Sequence, residues 1–372
     1  MSLIRGIPSW VKRGPRALVV AAADTPETLR KRADYVCTGD ATAGGDQDTI
    51  NSALASADTV LLCPGTYWVS GSITLGTGQA LIGSGRSTVI RVRNSHNADL
   101  NVISASSVNR VLIRDLMVDG NKDNQTAGTM HGIYFSSTTY LKVVNCWIQA
   151  LRNDGIYATN SDGLISNNHI STTSWAVYVY NATEMGIVNN DIRDGGGIGV
   201  SMCERVLIES NRIRWGTGNG IYIDQNLPAP YQGVLVVGNL VFRCSGSGIY
   251  ITRGRHCVVD GNLVAHNDYH GIVLHRSSYC SVVGNTLQSN SYSSDAGYNE
   301  IFLTDDGSNF STYNVVSGNT ILCEATNRAA YGIRENASGD DYNVITSNIA
   351  QGARTANIST QGVNSVVANN IS

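Results

Sequence analysis

"GIYITRGRHCVVDGNLVAHNDYHGIVLHRSSYCSVVGNTLQSN", residues 248–290, says nearly the same thing twice. Gly248-Ile249 returns 23 residues later as Gly271-Ile272. Cys257 returns as Cys280 and Gly261-Asn262 as Gly284-Asn285, at the same offset. Working outward, a small residue followed by Ile or Val opens each unit at Gly132, Gly155, Ala176, Gly197, Gly220, Gly248, Gly271 and Gly332, and Glu300-Ile301 fills the same slot. Asn closes a second strand at Asn168, Asn190, Asn211, Asn239, Asn262, Asn285, Asn319, Asn348 and Asn370. The spacings are 22, 21, 28, 23, 23, 34, 29 and 22, a base period of 21–23 with insertions. A fixed period of this size marks a repeat architecture.

Inside each unit the apolar residues alternate. Ile221-Tyr222-Ile223 and Ile249-Tyr250-Ile251 read in, out, in, which is the period of strands. Two or three short strands per unit satisfy their backbones by stacking on the next unit in parallel register. The expected solution is an all-β, single-stranded parallel β-helix of about 11–12 coils. At roughly 4.8 Å per coil this gives a rod on the order of 55 Å long. The recurrent Asn reads as a structural ladder of stacked amides, suited to left-handed backbone. The Gly slot reads as a turn device.

Composition agrees. Gly is abundant (39), Pro scarce (6), and only 15% of the 372 residues are charged, as expected for many strands joined by tight turns. A net charge of −3 argues against bulk nucleic-acid binding. No apolar run is long enough for a transmembrane helix, so no membrane partner is expected. Near the start, the only apolar run is Ala17 to Ala23. It reads as a strand, not a signal peptide, so synthesis in a cytoplasm is expected. Eight cysteines are too few for a disulfide scaffold. Cys257 and Cys280 read as stacked buried thiols, and spacing leaves the state of Cys37 and Cys63 open. No CxxC occurs, and His256, His266, His270 and His275 follow coil spacing; neither a metal nor a cofactor is called for.

The first 80 residues differ. "LVVAAADTPETLRKRADYVC" (18–37) reads as strand, helix, strand, with Asp24 as N-cap and Pro26 in the first turn. Asp46 to Ala55 reads as a helix, followed by a strand at Thr59 to Cys63. The division expected is a basic arm with the first strand and helix (1–33), a small α/β cap (34–80) that covers open strand edges, and the β-helix (81–372). Residues 1–32 carry Arg5, Lys12, Arg13, Arg16, Arg30, Lys31 and Arg32 against Asp24 and Glu27, a charge of +5 that leaves −8 for the remainder. This reads as an attachment arm for an acidic partner, or as a solvated tail. The last unit, "SVVANNIS", carries no capping segment, which leads to an expectation of oligomerisation.

Residues 46–92, with the Gly-Thr-Tyr turn, the Ile-Thr-Leu strand and the Leu-Ile-Gly-x-Gly segment, resemble the opening of the pectate-lyase-like right-handed parallel β-helix superfamily. "LVVAAADTPETLRKRADYVCTGDA" is similar to a narrower group, the β-helix proteins of tailed phages and prophages. The resemblance implies a right-handed coil and a virion or extracellular location. It also implies a homo-oligomer, commonly a trimer, with other virion proteins docked through residues 1–33. Activity is left open, because the superfamily hosts enzymes and adhesins alike.

Three columns bear on chemistry. Tyr134, Tyr157, Tyr178, Tyr222 and Tyr250 should face outward from one sheet, interrupted by Gly199. They suit sugar rings, a subunit interface or a stiffening ladder. His131 and Asp154 should be adjacent, as surface hydrogen bond or general base. The best acid cluster is Asp224 before "QNLPAPYQG" and Asp305-Asp306 before "GSNFSTY", with His275 in the coil between. Loops inserted on one face are where solenoids build sites, and two carboxylates are the equipment of glycoside hydrolysis. A lyase or epimerase would need a calcium-binding acid cluster beside a base such as Arg253 or Arg255. The ordered Asn-x-Asp, Asp-Asp and Gly-His-Gly set of polygalacturonases is missing, as is the Asp-Pro-His-Asp of alginate epimerases. The leading expectation is a virion-associated attachment protein displaying the β-helix to a polysaccharide or a neighbouring subunit. The alternatives are a polysaccharide lyase or glycoside hydrolase, and a secreted adhesin.

Overall fold

A computed structural model of the chain describes residues 17–171, 173–226, 233–323 and 326–372. Two compact units divide at Ser174 and Trp175. From Thr59 onward each is built from coils of three short strands, and the described strands pair in parallel with the equivalent strand of the next coil; Leu18–Ala21 and Tyr35–Val36 add to the edge of one sheet. Within the first unit the three sheets hold seven, five and four of the described strands; within the second they hold eight, seven and eight. Both are parallel β-helices. The basic residues Arg5, Lys12, Arg13 and Arg16 lie outside the described residues, as does most of the segment after Asn226.

In the second unit, sheet 1 includes Leu235–Val237, Val258–Asp260 and Ser281–Val283. Sheet 2 includes Leu240–Phe242, Leu263–Ala265 and Thr286–Gln288. Sheet 3 includes Ile221–Asp224, Ile249–Thr252, Ile272–His275 and Asn299–Thr304. The 23-residue offset of the sequence is the pairing register, with Ile249 opposite Ile272 and Val258 opposite Ser281. Alternate residues point inward, so Ile249, Ile251, Ile272 and Leu274 are fully buried. That burial is the main force holding each coil on its neighbour.

The turn from sheet 1 to sheet 2 carries the amides. Asn262 Oδ1 accepts from the backbone N–H of Asn239 (2.9 Å) and from its Nδ2 (2.9 Å). Asn262 Nδ2 donates to Val236 O and to Asn285 Oδ1, each at 2.9 Å. The same pattern links Asn190, Asn211, Asn239, Asn285, Asn319, Asn348 and Asn370. In the first unit Asn168 accepts from Cys146 N–H and donates to Val143 O. The left-handed residue is not the ladder Asn but its predecessor: Gly238, Gly261, Gly284 and Gly318 have φ of 62–66°.

The Gly slot is also not a turn device. Gly248 and Gly271 are absent from left-handed backbone. A Cβ at Gly248 would lie 2.3 Å from Val264 Cγ1 and 2.8 Å from Gly271 O. These glycines are required by the close approach of the next coil.

In the first unit, strand Leu18–Ala21, helix Glu27–Arg30 and strand Tyr35–Val36 precede helix Asp46–Ser56. Pro26, not Asp24, occupies the N-cap position of the short helix, without a side-chain cap. Asp24 instead accepts the N–H of Thr66 at 2.8 Å. The longer helix buries Ile50, Ala53 and Leu54. Cys37 and Cys63 are buried free thiols, as are Cys257, whose Sγ donates to Gln225 Oε1, and Cys280, whose Sγ donates to Ser278 O. No helix among the described residues is long and apolar enough to cross a membrane.

Candidate functional site

The turn from sheet 3 back to sheet 1 is where the second unit concentrates exposed chemistry. Sheet 3 ends on a row, Asp224–Thr252–His275–Thr304, set by the parallel register. Beyond this row the chain must reverse within a few residues. It does so with left-handed backbone at Arg253, His256, Arg276, Tyr279, Tyr313 and Tyr342, all with φ of 51–58°. Such positions exclude β-branched residues but otherwise accept varied side chains, here Arg, His and Tyr.

Three of them stack. The rings of Tyr279 and Tyr313 are 5.2 Å apart and nearly parallel (5°), and those of Tyr313 and Tyr342 are 4.9 Å apart (10°). His256 lies 5.6 Å beyond Tyr279. Both faces of Tyr279 and of Tyr313 are therefore covered by neighbouring rings, and what these two present to solvent is their edges and hydroxyls. Sequence reasoning missed this column. Its signal was present: Tyr279, Tyr313 and Tyr342 repeat with the offsets of Asn285, Asn319 and Asn348.

Beside the stack a pocket of about 420 Å³ is lined by Gln225, Arg253, Arg255, Arg276, Tyr279 and Tyr313, among others. Its floor is in register, with Arg255 bridged to Ser278 and Ser278 to Thr312. Asp224 accepts from Arg253 Nε at 2.8 Å and from its Nη2. Arg276 Nη1 donates to Asp306 Oδ2 at 2.7 Å. Arg255 forms no ion pair among the described residues; its guanidinium lies 5.3 Å from the Tyr279 ring. The Nε atoms of both Arg255 and Arg276 are buried without a hydrogen-bond partner.

The four residues singled out for catalysis do not converge. Asp224 stands three strand spacings, roughly 14 Å, from the position of Thr304 that precedes Asp305. Glycosidase carboxylates sit closer, within about 10 Å. Asp306 accepts from the N–H groups of Asn309 and Ser308, and with the Arg276 guanidinium these hold its carboxyl well below the usual range. Asp305 accepts from Gly307 N–H (2.7 Å) and from Asn336 Nδ2 (3.2 Å). His275 Nδ1 lies 3.1 Å from the Tyr250 hydroxyl and 3.2 Å from Thr252 Oγ1. Burial, then the neighbouring Arg276, lowers the pKa of His275, favouring the neutral imidazole.

The first tyrosine stripe is half-buried. Within the first unit Tyr134 and Tyr157 stack at 5.5 Å and 6°. Within the second, Tyr222 and Tyr250 stack at 6.0 Å. Gly199 interrupts the stripe for space: a Cβ there would lie 2.6 Å from the Tyr178 ring. Trp175 fills the gap, 5.8 Å from Tyr178 and 6.1 Å from Tyr222. In the first unit, His131 Nδ1 and Asp154 Oδ2 are 3.4 Å apart and largely buried, with the imidazole against Tyr134 and Tyr157. No cluster of His, Cys, Asp and Glu suited to a metal occurs among the described residues.

Stacked parallel coils with an arginine-lined pocket at one turn define a β-helix protein with a polar surface site. The chain matches the right-handed beta helix region family over residues 131–287 and 175–337, and it belongs to that family. Among solved structures it resembles the A-module of the Azotobacter vinelandii mannuronan C-5 epimerase AlgE6, with a TM-score of 0.80 and 18% identity over 89% of this chain and 96% of that one. The Dettilon tailspike protein matches at 0.69 and 18% identity, over 86% of this chain and 66% of that one. The N-terminal fragment of bacteriophage Phi29 gene product 12 matches at 0.62 and 15%, over 88% and 70%. These likenesses show the fold. No curated protein matches the sequence.

Proposed function

We propose that the chain is a virion-associated attachment protein of a tailed phage or prophage that presents its β-helix coils to a host polysaccharide. The observation that carries this reading is the pocket of about 420 Å³ between the arginines and the Tyr279–Tyr313 stack. Guanidinium forks and tyrosine hydroxyls are donors spaced along a repeating surface, and a polysaccharide is a repeating row of acceptors. The likeness to a phage tailspike and to a Phi29 gene product supports the setting. The reading includes a homo-oligomer, with the trimer as the state the resemblance implies, and docking to other virion proteins through residues 1–33. The test is retention of the full chain on immobilised polysaccharides, with its size measured by light scattering. Retention by an oligomer is expected. A strict monomer that no polysaccharide retains would sink the proposal.

A polysaccharide-cleaving or epimerising enzyme is the second reading. One observation favours it: a neutral-leaning His275 on the Tyr250 hydroxyl beside Arg276, a pair able to exchange a proton with a bound sugar. Release of reducing or unsaturated sugar ends, abolished in His275→Ala, would establish it over simple attachment.

A further inference from the structure

We propose that the pocket at the sheet 3 to sheet 1 turn is a subsite for the carboxylate of an acidic polysaccharide, with Arg255 as the residue that receives it. The inference rests on the polysaccharide-binding reading above and adds the chemical class of the sugar.

Three guanidiniums converge on this pocket, but two are already matched. Arg253 is held by Asp224 and Arg276 by Asp306. The pocket therefore carries one uncompensated positive charge, that of Arg255. The backbone of Arg255 is held, its N–H donating to the Oε1 of buried Gln225 at 3.0 Å, and its guanidinium lies over the Tyr279 ring at 5.3 Å. A planar fork beside an opening matches a planar anion. The orphaned Nε atoms of Arg255 and Arg276 show that each of these two guanidiniums still has an unmet donor, Arg276 despite its pairing with Asp306, and an unmet buried donor costs about 1–3 kcal/mol. A carboxylate drawn between them supplies acceptors to both guanidiniums.

The surrounding walls argue for a polar ligand rather than an apolar one. The faces of Tyr279 and Tyr313, the two tyrosines that line the pocket, are covered by neighbouring rings, so the usual stacking of a sugar on an aromatic face is blocked there. The hydroxyl edges and Thr312 remain for sugar hydroxyls. The binding energy then comes chiefly from the charge-assisted pair, which predicts strong discrimination against neutral sugars.

The test uses the full chain and defined probes: oligogalacturonate, oligomannuronate and hyaluronan, their carboxyl-reduced forms, neutral dextran, and dextran sulfate. Binding is measured by calorimetry at fixed salt. At least one uronate polymer should bind at least tenfold tighter than its carboxyl-reduced form. Arg255→Ala should abolish that preference, and Arg255→Lys should restore part of it. Arg243→Ala, which removes the same charge at an exposed turn elsewhere, should leave binding unchanged. Thermal unfolding of each variant shows that the fold persists. Equal loss in Arg243→Ala, or dextran sulfate binding that ignores Arg255, would reduce the effect to general charge and overturn the inference. Binding of neutral dextran alone would overturn it while leaving the polysaccharide reading intact. Retention of no polymer at all would overturn both.

Discussion

Two turns of the same coil have opposite characters. The sheet 1 to sheet 2 turn is closed: its Asn side chains are about 99% buried from Asn190 through Asn319, and both ends of each amide are engaged. The sheet 3 to sheet 1 turn is open. Its left-handed positions hold Glu184, Arg205, His256, Tyr279, Tyr313 and Tyr342 within the second unit, and most are exposed. One turn repeats a residue because the coil below demands it. The other buries its own amides, Asn314 and Asn343, but at its left-handed positions keeps a backbone conformation while the exposed residue varies, so those side chains are free to serve a ligand.

The contrast is broken most directly at its closed end. Asn262→Ala strands the Asn239 N–H and removes the bonds to Asn239 Nδ2, Val236 O and Asn285 Oδ1, although Asn239 Nδ2 keeps Ile208 O and Asn285 Oδ1 keeps the backbone N–H of residue 262. With about 1–3 kcal/mol for a buried unsatisfied group and the further loss of bonds whose other partners remain, a loss of roughly 2–4 kcal/mol is expected. His256→Ala, at the open turn, should cost less than about 1 kcal/mol. Denaturant midpoints of the two variants check this; similar losses would erase the distinction between the turns.

This difference also explains what could be read in the sequence. The Asn column was legible because from Asn168 onward each buried amide must meet the next, so its period appears letter by letter. The inward Ile and Val were legible for the same reason. The open turn was legible only where a residue recurs, as Tyr279, Tyr313 and Tyr342 do, because Glu184, Arg205 and Tyr279 share a φ value but no side-chain type. The acid cluster misled for a related reason. Asp224 and Asp306 stand before insertions, as site residues often do, but each carboxylate is taken by an arginine one coil along. Pairing across coils of unequal length depends on register, which spacing alone does not fix. The Gly slot was visible but its cause was hidden: contact with the next coil is a property of the packed state.

Closed ladders also end in acids where insertions interrupt them, and this sharpens the comparison through pH. Asn267 donates to Asn290, and Asn290 donates through both its N–H and Nδ2 to fully buried Glu300. Burial pushes the Glu300 carboxyl up to about 8. A folded-state pKa raised above the unfolded one means the native protein holds a proton that the unfolded chain has released. Its contribution is complete below the ordinary value near 4.5 and is lost as pH rises to about 8. Between pH 6.5 and 8, stability should therefore fall in the parent. Glu300→Gln, which cannot ionise, should flatten that slope even if it lowers stability overall. Urea midpoints at three pH values within the window decide it; an unchanged slope would show that Glu300 is ionised in its ladder.

The smallest effect belongs to the open turn. Tyr313 is 47% exposed yet has Tyr279 on one face and Tyr342 on the other. Tyr313→Ala forfeits two stacked contacts and should cost about 1 kcal/mol, since aromatic pairs contribute roughly 0.5–1.5 kcal/mol beyond area burial. Tyr313→Phe keeps both contacts and removes only the hydroxyl, so its unfolding midpoint should match the parent. If polysaccharide binding nonetheless weakens severalfold in Tyr313→Phe, the hydroxyl edge is what the ligand uses. If binding weakens only in Tyr313→Ala, the stack acts by holding Tyr279 and Arg255 in position. The two substitutions thus separate a residue that touches sugar from one that keeps a neighbour still, at a site where the backbone leaves either role available.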